Sequence, residues 1–123
     1  MTDLLKSPFF LTYEQKYRYI LSRTPISIRE LTKGLNDVAD LTICKKLRSV
    51  QITDWLLDVG ILERRRDSGG KMRAYPTPQG VAIDITAKPK IRRDVEYWTL
   101  FYGKAAQQFI IDNIDEIVSF KKR

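Results

Sequence analysis

Residues 61–93 carry nine cationic side chains against three acidic ones: Arg64, Arg65 and Arg66, then Lys71 and Arg73, then Lys88, Lys90, Arg92 and Arg93. A guanidinium offers a planar fork of donors and an ammonium a mobile point charge. At this density the groups repel one another unless a polyanion such as a phosphate backbone neutralises them. Elsewhere the charge is nearly balanced, with nine basic and seven acidic residues over 1–60 and four and five over 94–123, so the net charge of +7 is a local property. A solvated loop surface is the plain alternative, and only the structural setting of the run decides between them.

Two other constellations can do chemistry. Cys44 precedes Lys45 and Lys46, cations that lower a thiol pKa and suit a redox sensor, although a small buried hydrophobe is the commoner role of a lone cysteine. Asp112, Asp115 and Glu116 can hold a divalent metal for phosphodiester cleavage if they share a helical face, but the neighbouring stripe is apolar and an exposed acidic face explains them without a metal. The chain has no histidine and one cysteine. Cys/His zinc sites, Ser-His-Asp triads and Cys-His nucleophiles are therefore excluded, as is an intramolecular disulfide. The reading is a non-enzymatic protein without a catalytic residue, metal or cofactor.

The elements that must position the cations follow from length and pattern. With 123 residues, 43% hydrophobic and 30% charged, there is material for one ordinary core. No apolar run is long enough to span a bilayer, and Met1–Phe10 lacks the plan of a secretory signal, so a cytoplasmic protein is expected. Thr12 and Gln15 have capping-box spacing and open a helix carrying Tyr13, Tyr17, Ile20 and Leu21 to about Arg23, stopped by Thr24-Pro25. Ser27 with Glu30 opens a second, with Ile28, Leu31, Leu35 and Val38 on one face, before Asn36-Asp37 suggests a turn. Leu47, Ile52, Leu56 and Val59 mark a third, ending at a left-handed cap on Gly60.

From Ile61 the period changes to that of a hairpin, with Ser68-Gly69-Gly70 at its tip and arms through Arg66 and from Lys71 to Tyr75. Thr77-Pro78 caps a short helix through Val81, Ala82 and Ile85, and Pro89 ends that region. Val95–Tyr102 reads as a strand with aromatics on both faces, and Lys104–Phe120 as one final helix striped by Ala106, Ile110, Ile114, Ile117 and Val118. The expected class is α+β, mainly helical, with a first unit over 1–88 and a strand-helix extension over 89–123, packed on the first unit or forming a dimer contact.

Helix, helix, turn, helix and a Gly-tipped basic hairpin resemble a winged helix-turn-helix domain of the bacterial or phage transcription-regulator type. The resemblance covers roughly Thr12 to Ile85. It is carried by Ser27-Ile28-Arg29-Glu30-Leu31, Ile52-Thr53-Asp54-Trp55-Leu56, Gly60-Ile61-Leu62, the Arg64–Arg73 wing and Thr77-Pro78-Gln79-Gly80. It implies binding of double-stranded DNA, with the third helix in the major groove and the wing on the backbone or in the minor groove. The residues it assigns to the groove are Arg48, Ser49, Gln51 and Thr53, and those it assigns to the wing are Arg64, Arg65, Arg66, Lys71 and Arg73. The link from Asn36 to Leu47 is longer than the three or four residues usual in about all such motifs. The start of the recognition helix is therefore open, and Lys45 and Lys46 join the expected phosphate contacts.

Trp55, set among Ile52, Leu56 and Val59, is expected in the core. Tyr97 and Trp98 suit core packing, a subunit contact or stacking of single-stranded bases. With Phe109, Ile110 and Ile114 they are the expected homodimer contact. Winged helices also serve as protein-interaction modules within larger assemblies, which is the alternative function.

Overall fold

Three helix starts in this chain are set by one hydroxyl each. Thr12 forms a complete capping box: its Oγ1 accepts from the Gln15 amide at 3.2 Å, and Gln15 Oε1 accepts from the Thr12 amide at 2.9 Å. Ser27 Oγ accepts from the Glu30 amide, and Thr77 Oγ1 from that of Gly80. The computed structural model describes residues 5–122; the first four residues of the expected 1–88 unit and of the Met1–Phe10 segment lie outside it, as does the last residue of 89–123. Its elements are α1 (Tyr13–Arg18), α2 (Ile28–Val38), α3 (Ser49–Asp58), β1 (Leu62–Arg66), β2 (Met72–Pro76), α4 (Pro78–Ala82), β3 (Ile85–Arg92), β4 (Val95–Tyr102), α5 (Lys104–Asp112) and α6 (Ile114–Ser119). This is a mainly helical α+β fold with a winged-helix-like order. None of the described helices is long and apolar enough to cross a membrane.

One core joins the parts. Leu31, Leu35, Leu47, Ile52 and Leu56 from the helical half bury against Leu62, Ile85, Tyr102, Ala106, Ile110, Ile114 and Ile117. Each fully buried Leu or Ile contributes about 1.5–3 kcal/mol relative to exposure. Trp55 is buried as expected and packs on Phe109 with ring centroids 5.7 Å apart. Ile26 ties the two halves through the backbone: its amide donates to Tyr102 O at 3.1 Å, and the Tyr102 amide donates back at 2.7 Å. Burial raises the Tyr102 phenol pKa above its ordinary value.

Four expectations are corrected. The first helix ends at Arg18 rather than about Arg23, and Tyr13, Tyr17 and Ile20 are 84%, 88% and 86% exposed instead of forming its inner face. The chain beyond Tyr19 leaves the helix, and the buried Gln107 supplies partners a helix would have given: its Oε1 accepts from the Ser22 amide at 2.9 Å and its Nε2 donates to Ser22 O at 3.4 Å. The second helix continues through Asn36 and Asp37, with Asn36 buried.

Ile85 does not close α4. It opens β3, which the sequence reading missed and which runs across the expected boundary between residues 88 and 89. Pro89 is accommodated within the strand opposite Trp98, where its missing N–H costs no ladder bond if that side faces away from the partner. The final helix is two, broken at Asn113, whose Nδ2 donates to Phe109 O at 2.7 Å. The break separates Asp112 from Asp115 and Glu116. Among the described residues no group of three or more acidic or cysteine side chains is placed to hold a metal ion.

The homodimer contact is also corrected in part. Ile110 and Ile114 are fully buried within the chain itself and cannot face a second copy without opening the core. Phe109 covers Trp55, and Trp98 packs edge-on against Tyr75 while its Nε1 donates to Ala74 O at 2.6 Å. Cys44 is buried, and its Sγ lies 3.3 Å from Asp40 O as donor, the setting of the structural rather than the redox role.

Candidate nucleic-acid interface

The long link between α2 and α3 is held by side chains rather than by regular structure. Asn36 clamps the backbone of one residue on both sides: its Nδ2 donates to Leu47 O at 3.0 Å and its Oδ1 accepts from the Leu47 amide at 2.9 Å. Asp40 Oδ1 accepts from the Thr42 hydroxyl at 2.5 Å and the Thr42 amide at 3.0 Å, and the hydroxyl bond foremost holds this carboxyl below its ordinary pKa. Ser7 and Cys44 then pair as a bridge, which brings Lys45 and Lys46 to the surface immediately ahead of α3.

Of the six groove candidates, Lys45, Lys46 and Arg48 are exposed and gather at the N-terminal end of α3. Ser49 and Gln51 are committed to local structure. Ser49 Oγ donates to Thr32 Oγ1 of α2 at 2.9 Å, and Gln51 Oε1 accepts from the Arg48 amide at 2.9 Å. Thr53 is half-buried one turn further on. A groove of about 730 Å³ between α2 and this end of α3 is lined by Arg29, Lys33, Lys46 and Arg48 and by Glu30 and Asp37, the last paired with Lys33 at 3.2 Å. The C-terminal half of α3 itself differs in sign: it carries Asp54 and Asp58, which with Arg64, Lys121 and Lys122 line a second groove of about 750 Å³.

The wing divides its cations by strand period. In register, Glu63 faces Tyr75, Arg65 faces Arg73, Arg64 faces Ala74 and Arg66 faces Met72. Residues opposite one another share a sheet face, so Arg65 and Arg73 lie on one side of the hairpin and Arg64 and Arg66 on the other. Arg64 and Arg66 are exposed on the side that meets α3. Arg65 lies 4.0 Å above the Tyr75 ring and bonds Glu63 at 2.7 Å, while Arg73 lies 4.5 Å above the Tyr97 ring.

Arg73 is fixed further by Asp67. The Asp67 side chain is 1% exposed and accepts from Arg73 Nε at 2.7 Å and from the amides of Gly69 and Lys71 at 2.9 and 3.0 Å. The Arg73 bond holds the carboxyl below its ordinary pKa; burial opposes this, and the two amides assist. Asp67 thus closes the wing tip and orients Arg73. Lys71 is exposed beside it.

Closing the base of the wing is the role of Thr77-Pro78-Gln79-Gly80. Thr77 Oγ1 donates toward the Gly60 and Ile61 carbonyls at 2.6 and 3.0 Å, and Gly80 abuts Ile61 O so closely that a Cβ there would overlap it. Gly60, at φ +81°, takes the left-handed conformation expected of it as it turns α3 into β1.

The second hairpin carries Lys88, Lys90, Arg92 and Arg93, which the sequence reading counted as charge but assigned to no surface, because β3 was missed. A period-2 run of Ile85, Ala87, Pro89 and Ile91 was the available signal. The two hairpins are bonded at their tips, where the Ser68 amide donates to Glu96 O at 3.0 Å and the Glu96 amide donates to Ser68 Oγ at 2.6 Å. Between them lies a cleft of about 560 Å³ lined by Lys71, Arg73, Arg92, Arg93, Tyr97 and Asp67, among others. No protein-family profile, curated protein or solved structure matches the chain.

Proposed function

We propose that this chain is a non-catalytic, cytoplasmic DNA-binding domain that docks on a duplex with the N-terminal end of α3 and the α3-facing edge of the wing, as a bacterial or phage transcription regulator or DNA-binding accessory factor. The observation that carries the reading is the crowding of Lys45, Lys46 and Arg48 at the positive end of the α3 dipole, with Arg29 and Lys33 across the groove. Cations at a helix N-terminus oppose the macrodipole, and an incoming phosphate relieves both charges at once. Arg64 adds a cation beside the C-terminal half of α3, and Arg66 shares its face of the wing.

A titration of the chain with duplex DNA at several salt concentrations tests it. Six to eight phosphate contacts give a slope of log K against log salt of roughly −5 to −7. Absence of duplex affinity, or affinity that salt leaves unchanged, refutes it. A protein-binding role is the second reading, favoured by the exposure of Tyr13, Tyr17 and Ile20. Replacing Arg48, Arg64 and Arg66 with alanine abolishes DNA binding under the first reading and leaves partner binding largely intact under the second.

A further inference from the structure

We propose that the β3–β4 hairpin is a second contact for the phosphate backbone of the same duplex, centred on Lys88, Lys90 and Arg92 and continuing into the cleft with Lys71 and Arg93. The inference rests on the duplex-binding reading above and adds a surface centred outside the helix-turn-helix and its wing.

Register supplies the first argument. Lys88, Lys90 and Arg92 face Thr99, Tyr97 and Val95 in turn, so all three project from one face of the hairpin, and all three are exposed. Alternate residues of a strand stand about 6.6 Å apart. A DNA strand carries one phosphate per about 3.4 Å of axis, a charge density that a row of closely spaced cations can neutralise. No acidic residue occupies this face: Glu96, the one carboxylate within β3 or β4, shares the opposite face with Ile91.

The aromatic residues supply the second. Tyr97 and Phe101 interleave with the cations, an arrangement that in isolation suits base stacking. Here the rings already have cationic partners: Arg73 lies 4.5 Å from the Tyr97 centroid and Lys88 lies 4.7 Å from the Phe101 centroid. The rings orient the charges, and the charges meet the backbone.

The turn supplies the third. Arg93 and Asp94 both take positive φ, 51° and 64°, at positions where Gly, Asn or Asp is favoured. Arg93 therefore carries a strained backbone at the point where its guanidinium lines the cleft with Arg92 and Lys71.

The experiment compares the native chain with three variants on two duplexes of unrelated sequence, by fluorescence anisotropy across a salt series. One variant combines Lys88→Ala, Lys90→Ala and Arg92→Ala. A second keeps the charges with Lys88→Arg, Lys90→Arg and Arg92→Lys. The third combines Arg64→Ala with Arg66→Ala. Loss of three contacts lowers the magnitude of the salt slope by about 2.7 and the affinity at low salt at least about tenfold, equally on both duplexes. The charge-keeping variant retains the native slope, which separates charge from damage to the hairpin. If the alanine triple keeps its slope and affinity while the wing variant loses them, the second surface is refuted and the duplex reading stands. If the alanine and charge-keeping triples lose affinity alike, the phosphate role is refuted. If the native chain binds neither duplex, both proposals fall.

Discussion

Asn36 offers the sharpest test of how the link between α2 and α3 is built. Its carboxamide makes two hydrogen bonds to the peptide of Leu47, a residue with no exposed surface. In Asn36→Ala the Leu47 N–H and C=O lose their partners in a dry environment. Each orphaned group costs about 1–3 kcal/mol, so the loss is expected at about 2–5 kcal/mol after partial relaxation. That is a large share of the roughly 5–15 kcal/mol that holds a domain together.

Asn36→Asp sharpens the argument, because it keeps the acceptor for the amide but sets a carboxylate against the Leu47 carbonyl. It is expected to be at least as damaging at neutral pH and to recover part of the loss in mild acid, where a protonated carboxyl donates again. Urea denaturation gives the stability change, and amide exchange at Leu47 gives its location. A loss below about 1 kcal/mol for Asn36→Ala, with native protection at Leu47, would refute the clamp.

Four further outcomes follow from the geometry. Gly80→Ala forces a Cβ into the Ile61 carbonyl and against Pro76, and overpacking of this kind costs about 1–3 kcal/mol, read by thermal denaturation. The stability contributed by the Asp67–Arg73 pair is full above the ordinary carboxylate value of 3.8 and is lost as pH falls through the lower folded value, so the difference between the native chain and Asp67→Asn shrinks on acidification. Arg93→Gly relieves a left-handed conformation worth about 1–2 kcal/mol and restores about 0.5–1 kcal/mol of chain entropy to the unfolded state; stability is unchanged or slightly raised while the salt slope on duplex DNA falls by about 0.9. Sedimentation at micromolar concentration gives the 14.4 kDa monomer, because the apolar stripe of α5 and α6 is covered by the chain's own core.

Elements with local signals were legible in the sequence. Thr12, Ser27 and Thr77 announced helices through their caps, Gly60 announced a left-handed end, and the β1–β2 tip was visible in Ser68-Gly69-Gly70. What stayed hidden depended on distant partners. Tyr13, Tyr17 and Ile20 fit a helical stripe, yet Gln107, far along the chain, supplies the bonds that let residues after Tyr19 leave the helix. Pro89 read as a stop because proline is disfavoured in strands, and the turn at Arg93-Asp94 lacks the Gly or Asn that marks most two-residue hairpins. With β3 unseen, its row of cations had no face. The wing cations were visible as a set, but their division awaited the register and the aromatic partners of Arg65 and Arg73.

The signs of the charges along α3 constrain how a duplex would be met. Ser49–Asp58 contains no lysine or arginine, and its two charged residues are Asp54 and Asp58, toward the C-terminal end. Laid lengthwise in a groove, that end would bring carboxylates between two rows of phosphates. Presented by its N-terminal turn, the same helix offers Lys45, Lys46 and Arg48 at the positive end of its dipole, and Asp54 and Asp58 stay beside Arg64, Lys121 and Lys122. An end-on helix would cover fewer phosphates than a lengthwise one, and under the proposed reading the paired hairpins, with Arg64 and Arg66 on one face and Lys88, Lys90 and Arg92 on another, would supply further neutralising charge.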